Sequence, residues 1–382
     1  MNETGMKVAA ILLACSVLCC TACAFVAGEP QSDCSDAPVS SSADATDSAG
    51  WFYADGVLTI HREDVLTGYL DELLRDDEIA ALTKIVVGGE MTEIPPYFAY
   101  LPFRTIHADV LTILVEEGVT TIGAYAFLTD IAGLKVEVSI PCSAVNMDEK
   151  ALCWVWRANV DPNHPFLEDK QGCIIDTHTQ TLLAVSEEHT NVTIPDDVVA
   201  IAASAFASQD TITSVTMPNS VISIGENAFD GCVNLKEFAI SDKIEEIGFA
   251  ALSGTAMDTV ILPESLQSAG EVDSIWFQSR SLKTLIVTSP ASYLKEAYFG
   301  WWPNLRYLVV MGAPPAELDI ALAENEFRTG HDGNDKEAGT PDQFTIVYLN
   351  AYADLWAPNG ETEWNGFPLV GIDSLDDLPP LD

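Results

Sequence analysis

The chain has 382 residues, with 58 acidic against 17 basic side chains, a formal net charge of −41 and a pI near 4.1. That balance excludes nucleic acid and anionic membrane surface as partners of the body, since either would repel it. Length alone allows two domains, but a repeated unit in the middle of the chain makes one array, growing in one dimension, the simpler expectation.

Residues 1–27 read as an export segment, with Lys7 ahead of the apolar run from Val8 to Ala27. Three readings of it stay open. Thr21-Ala22 places small residues before Cys23, the arrangement a lipid-bearing cysteine requires, although Cys20 stands where leucine is usual. Ala22-Cys23-Ala24 is also an A-x-A cleavage site. An uncleaved anchor of about twenty apolar residues is the third. All three place the body outside the cytoplasm. Residues 28–50 are rich in Ser, Asp and Ala and cannot bury enough apolar surface to order themselves, so they read as a flexible tether.

An N-terminal cap is expected over residues 51–81. WFYADGVLTI, from Trp51 to Ile60, is two apolar runs around Asp55-Gly56, a hairpin signal. The acidic run from Asp71 to Glu78, interrupted by Leu73 and Leu74 and followed by Ile79, reads as an amphipathic helix.

The array itself is expected over residues 82–310. In each copy two apolar residues alternate with polar ones, as at Ile85/Val87, Ile113/Val115, Val215/Met217 and Val260/Leu262, which is the period of a short half-buried strand. Seven residues after the strand end comes a second apolar position, Ile94, Ile122, Ile201, Ile224 or Ile247 among others. Five further on comes a bulky plug: Phe127, Leu152, Phe206, Phe229, Leu252 or Phe299, while the copies at Ala99 and Ser274 lack one. The repeat is 23 residues from Ile201 to Ile224 and again to Ile247, within the range of stacked supersecondary units.

The motifs TIGAYAF (Thr121 to Phe127), SIGENAF (Ser223 to Phe229), NLKEFAI (Asn234 to Ile240) and the IP or MP strand ends resemble BspA-type leucine-rich repeats. The resemblance covers about Trp51 to Asp373. It implies a leucine-rich repeat solenoid: one parallel sheet of about 10–11 short strands with short helical turns, terminal caps and one inserted hairpin. It also implies a generic binding surface on a bacterial cell envelope, an adhesin being one form.

Two stretches depart from the period. Met147 and Ile201 are 54 residues apart, and GCIID and TLLAV flank THTQ there, so a hairpin inserted at about 161–189 is expected. Residues 311–343 read as a loop, partly helical from Ala316 to Phe327. Residues 344–373, with Trp356, Trp364 and Phe367, resemble the family's aromatic final cap, and residues 374–382 form an acidic tail too poor in apolar side chains to order itself.

Catalytic motifs are absent: there is no GxSxG, HExxH, CxxC pair or phosphate-binding glycine loop, and nothing calls for a cofactor or a metal. The nearest thing to a catalytic group is Cys173 with His164, His178 and His189 near it in sequence, but no third, orienting group follows from the spacing. Asp332, Asn334 and Asp335 have calcium-loop composition without the loop's glycine and distal glutamate in place. Cys142, Cys153 and Cys173 cluster about the insertion, where a bridge between two of them is permitted outside the cytoplasm. Cys232 reads as a core thiol.

The remaining question is where a partner would sit. With Leu235, Phe238 and Ile240 inward, the residues matching Ala239 form a column on the open face: Val86, Leu114, Ser139, Thr193, Thr216, Ala239, Ile261, Ile286 and Val309. It turns apolar toward the C-terminal end. Beside it lie Lys236, Lys283 and Arg306, and Tyr307 follows. Ile261, Ile286, Val309, Arg306 and Tyr307 are therefore the expected ligand surface. The expected function is non-enzymatic binding of a protein or glycan on a host or neighbouring cell surface, with the membrane engaged only through the N-terminus. The alternatives are an exported enzyme built on the thiol island and a purely structural envelope protein.

Overall fold

The computed structural model describes residues 50–380 apart from 63–69, 71–72, 102–103, 130, 132, 187–188, 267–280, 289–303, 315–343 and 365. The export segment, the calcium-like loop, the 316–327 helix and the plug Phe299 lie outside the described residues. The chain divides into two compact units, one running to Ala151 and including Ala158–Leu167, the other comprising Leu152–Arg157 and everything from Glu168 onward.

In the first unit Trp51–Ala54 and Val57–Ile60 form the expected hairpin, closed by Asp55 (φ 50°) and Gly56 (φ 82°). Two successive residues with positive φ give the turn twist that matches paired strands. Lys84–Val87 pairs in parallel with Val57–Ile60, Val110–Val115 pairs with it, and Lys135–Ile140 follows, with Arg157–Val160 last in the sheet. The acidic run yields only the five-residue helix Asp76–Ala80, with Leu70, Leu74 and Ile79 buried beneath it.

In the second unit the inserted hairpin is Cys173–Asp176 against Thr181–Val185, its turn held by Asp176 Oδ1 accepting the amides of His178 and Thr179. The repeats then stack in parallel: Asn191–Thr193, Ser214–Thr216 and Glu237–Phe238. A further parallel set holds Thr259–Leu262, Thr284–Val287, Tyr307–Val310, Thr345–Leu349 and Phe367–Ile372. The architecture is the parallel-sheet solenoid implied by the repeats.

Several of the described turns contribute to two ladders. The second apolar position of these copies sits in a two-residue strand: Glu93–Ile94, Thr121–Ile122 and Asn146–Met147 pair in one unit, Ala200–Ile201, Ser223–Ile224 and Glu246–Ile247 in the other. The polypeptide alternates between a wide and a narrow ladder, and the apolar pairs of both face a common interior. The motif glycine makes this possible. A Cβ on Gly225 would lie 2.5 Å from the Ala203 nitrogen, and one on Gly248 2.6 Å from that of Glu226, so only glycine lets successive turns approach this closely.

The plugs fill the space between ladders. Phe127, Leu152, Phe206, Phe229 and Leu252 are all buried, and Phe98 serves the copy at Ala99. Two residues before Phe127, Phe206, Phe229 and Leu252 the chain takes a left-handed turn, at Tyr125, Ser204, Asn227 and Ala250 (φ 50–57°). At the far end Phe344 stacks on Phe367 (4.2 Å), and Trp356 meets Trp364 (5.0 Å) while its Nε1 donates to the Gly312 carbonyl. This aromatic block closes the core where no further repeat would cover it.

Candidate binding surface

The outer column follows the expected register. Ile261 pairs with Ile286, Ile286 with Val309, Val309 with Val347, and Val347 with Val370. Exposure along it does not follow the expectation. Ile261 is 49% exposed and Val370 41%, yet Ile286 is 4% and Val309 and Val347 0%. The expected ligand surface is corrected there: Ile286 and Val309 belong to a small second core with Val347 and Ile372, against which Tyr307, Met311, Leu349, Leu375 and Leu378 pack. The physical reason lies beyond the array. The tail that composition marked as unstructured forms a single 3-10 turn, Leu375–Asp377, and puts two leucines on the column.

The flanking cations lie as the register requires. Lys283 donates its amide to Asp258 and Arg306 its amide to Lys283, so the two side chains rise from adjacent strands beside Tyr307. Arg306 is exposed, and Lys283 and Tyr307 half-buried. Arg104 is engaged with Asp76, and Lys170 with Asp197 and Glu168. The hydrogen bond to Asp197 raises the Lys170 ammonium and lowers the Asp197 carboxyl.

At the thiol island the Cys173 thiol is shifted away from reactivity. Cys173 is fully buried, and burial, with the nearby Asp169 charge, pushes its thiol up to about 12. A nucleophile needs the opposite shift, toward thiolate. His178 is exposed on the hairpin turn, His189 lies against Gly172, and His164 belongs to the other unit. There its ring is a structural strut: Nδ1 accepts the Leu167 amide at 2.9 Å, and Nε2 lies 3.2 Å from the Ala144 carbonyl. Cys142, Cys153, Cys173 and Cys232 are all buried, each as a thiol rather than half of a disulfide. Cys232 is the expected core thiol, its Sγ 3.1 Å from the Phe206 carbonyl and its acidity likewise suppressed by burial to about 12. Asp230 is similarly raised by burial, held by hydrogen bonds from Ser253 and Gly231 within the turn stack.

Fold and surface together define a repeat solenoid of the leucine-rich class, with its chemistry on the outside of its strands. Residues 183–306 match, in six copies, the model of the BspA type leucine rich repeat region, so this stretch is a BspA-type array. Among solved structures the chain is similar to a leucine-rich repeat protein from Eubacterium ventriosum, at 18% identity over 62% of this chain and 75% of that one, with a TM-score of 0.41. It is similar also to the pneumococcal vaccine antigen PcpA, at 10% identity over 84% and 95%, TM-score 0.44. A third is a leucine-rich cell surface protein from Faecalibacterium prausnitzii, at 18% identity over 60% and 56%, TM-score 0.46. No curated protein matches the chain.

Proposed function

We propose that the protein is an exported, non-enzymatic repeat protein that binds a protein or glycan partner on a host or neighbouring cell surface. The observation that carries this reading is the outer face near the C-terminal end, where Ile261 stands 49% exposed, one strand from Lys283 and two strands from Arg306 and Tyr307. An exposed aliphatic side chain rimmed by cations and tyrosine has the composition of a contact patch. In a body of net charge −41, adjacent cations also mark where a carboxylate-bearing partner meets least repulsion. The N-terminal run supplies export, and Cys23 is the residue proposed to carry an anchoring lipid.

The test compares the native chain with Ile261→Asp/Tyr307→Ala in capture from host matrix and from neighbouring cell surfaces. Ile261 is exposed and Tyr307 half-buried against the small second core, so Ile261→Asp alone is run beside the double variant, and capture of a defined partner falls in each while the chain remains folded. Full capture by the folded variant places the site on another face. For the address, Cys23→Ser releases the protein from the membrane fraction or blocks its processing, and a processed variant that stays membrane-bound removes the lipid from the reading.

A further inference from the structure

The buried centre of the outer column carries an inference of its own. Strands earlier in the array bury one face only, as in Thr259–Leu262, where exposed and buried residues alternate. Thr284–Val287 is buried at every position, and the outer residues of Tyr307–Val310 and Thr345–Leu349 are buried at Val309 and Val347. A second apolar surface has formed outside the solenoid, and the segment seated on it is identifiable. Leu375 and Leu378, three residues apart, pack against the cluster of Ile286, Val309, Val347 and Ile372, while Asp376 and Asp377 between them stay exposed.

That segment is lightly held. Its single turn is closed by the Asp377 and Leu378 amides and by Asp377 accepting from the Ser374 amide (3.0 Å) and hydroxyl (3.2 Å), all bonds internal to the segment. Its polar tie to the body is Asn350 Nδ2 to Asp373, 2.8 Å, at its base. Both leucines remain half-exposed, and the acids sit on a strongly acidic protein. The ordering entropy of the turn is thus opposed by little more than two partly buried side chains. The surface beneath is apolar and lies in register with exposed Ile261 and Val370, whereas the segment on it is short and local.

We propose that the outer face at Ile286, Val309 and Val347 is a docking groove for an acidic segment with two leucines three residues apart. Its occupant is the chain's own Leu375–Leu378, which lifts off and reseats while the sheet stays folded. The groove shares its column with the function proposed above but needs no outside partner to be tested, so failure of either leaves the other standing.

The probe is a fluorescently labelled peptide of residues 373–380, titrated by anisotropy into the full chain and into the full chain carrying Leu375→Asp/Leu378→Asp. A tethered occupant competes at high effective concentration, so the variant binds the peptide at least about ten-fold more tightly than the native chain. The same peptide with both leucines replaced by aspartate does not bind. A folded variant that ignores the native peptide, or binds it no better than the native chain, overturns the proposal. Hydrogen exchange on the native chain tests it without a variant: the Asp377 and Leu378 amides exchange at least about a hundred-fold faster than those of Tyr307–Val310. Equal rates mean the segment leaves only when the sheet unfolds, which also overturns it.

Discussion

Phe229 ties neighbouring turns together through one ring. It is fully buried, stacks on Phe206 at 4.7 Å with an interplanar angle of 9°, and meets Phe238 at 4.8 Å. Phe229→Ala therefore leaves a cavity that two rigid neighbours cannot collapse, at a cost of ~3–5 kcal/mol. Because repeats couple to nearest neighbours, hydrogen exchange rises most between Ile201 and Ile247; unchanged protection there contradicts the plug role. The buried thiols give a second test. Burial holds Cys173 and Cys232 near 12 in the folded chain against an ordinary value of 9.0. Above pH ~9 the unfolded chain sheds protons that the folded chain retains, so stability falls with pH at about 1.4 kcal/mol per unit per thiol. That loss begins near the unfolded value and ends once the folded thiols titrate. In urea melts from pH 8 to 10.5, Cys173→Ala has a shallower alkaline slope than the native chain; equal slopes remove the thiol from the account. The buried plugs were legible in the sequence because bulky residues recur at one phase. The left-handed turn two residues earlier was not, since Tyr125, Ser204, Asn227 and Ala250 share no chemistry beyond asparagine's tolerance of that conformation.

The strands show the same division one scale up. Runs such as Val110–Val115 alternate over six residues, and alternation of that length signals a half-buried strand. Two-residue strands such as Ser223–Ile224 span a single period and cannot show alternation, so the narrow ladder left only its single inward isoleucine as a trace. The covering of Ile286 and Val309 was illegible for a different reason: register assigns a face to each residue, but what lies on that face is decided by Leu375 and Leu378, far along the chain. The terminal hairpin was legible because Asp-Gly between apolar runs names both turn and partner, and its role can be tested. A Cβ on Gly56 would lie 2.7 Å from the Ala81 carbonyl oxygen, at a φ of 82° that side chains rarely adopt. Gly56→Val thus unseats the hairpin from Lys84–Val87 and leaves that strand as an open edge. The expected outcome is self-association that grows with concentration, read by light scattering, before any loss of the downstream repeats. A variant that remains monodisperse shows that the hairpin is not the cap.

For the whole molecule, charge is the term that the packing argument does not contain. With 58 acidic and 17 basic side chains, most carboxylates have no cation to face. Several of the described ion pairs, such as Arg104–Asp76 and Lys170–Asp197, are surface contacts of the kind that contribute little net stability. Screening therefore acts on repulsion more than on attraction, and folding, which concentrates the charge, gains from it. The Debye length falls from ~30 Å at 0.01 M to ~3 Å at 1 M ionic strength. Over that range of sodium chloride the unfolding midpoint should rise, by roughly 2–5 °C if screening contributes ~1–2 kcal/mol. A thermal melt series at fixed pH measures it, and a midpoint that falls with salt assigns the net electrostatic term to ion pairs instead. The same series separates two ways of holding the C-terminal turn, since Asp373, Asp376 and Asp377 lie on the acidic body they must approach. If apolar contact by Leu375 and Leu378 holds that turn, exchange at the Leu378 amide slows as salt rises, relative to the Val309 amide; if charge attraction holds it, exchange quickens.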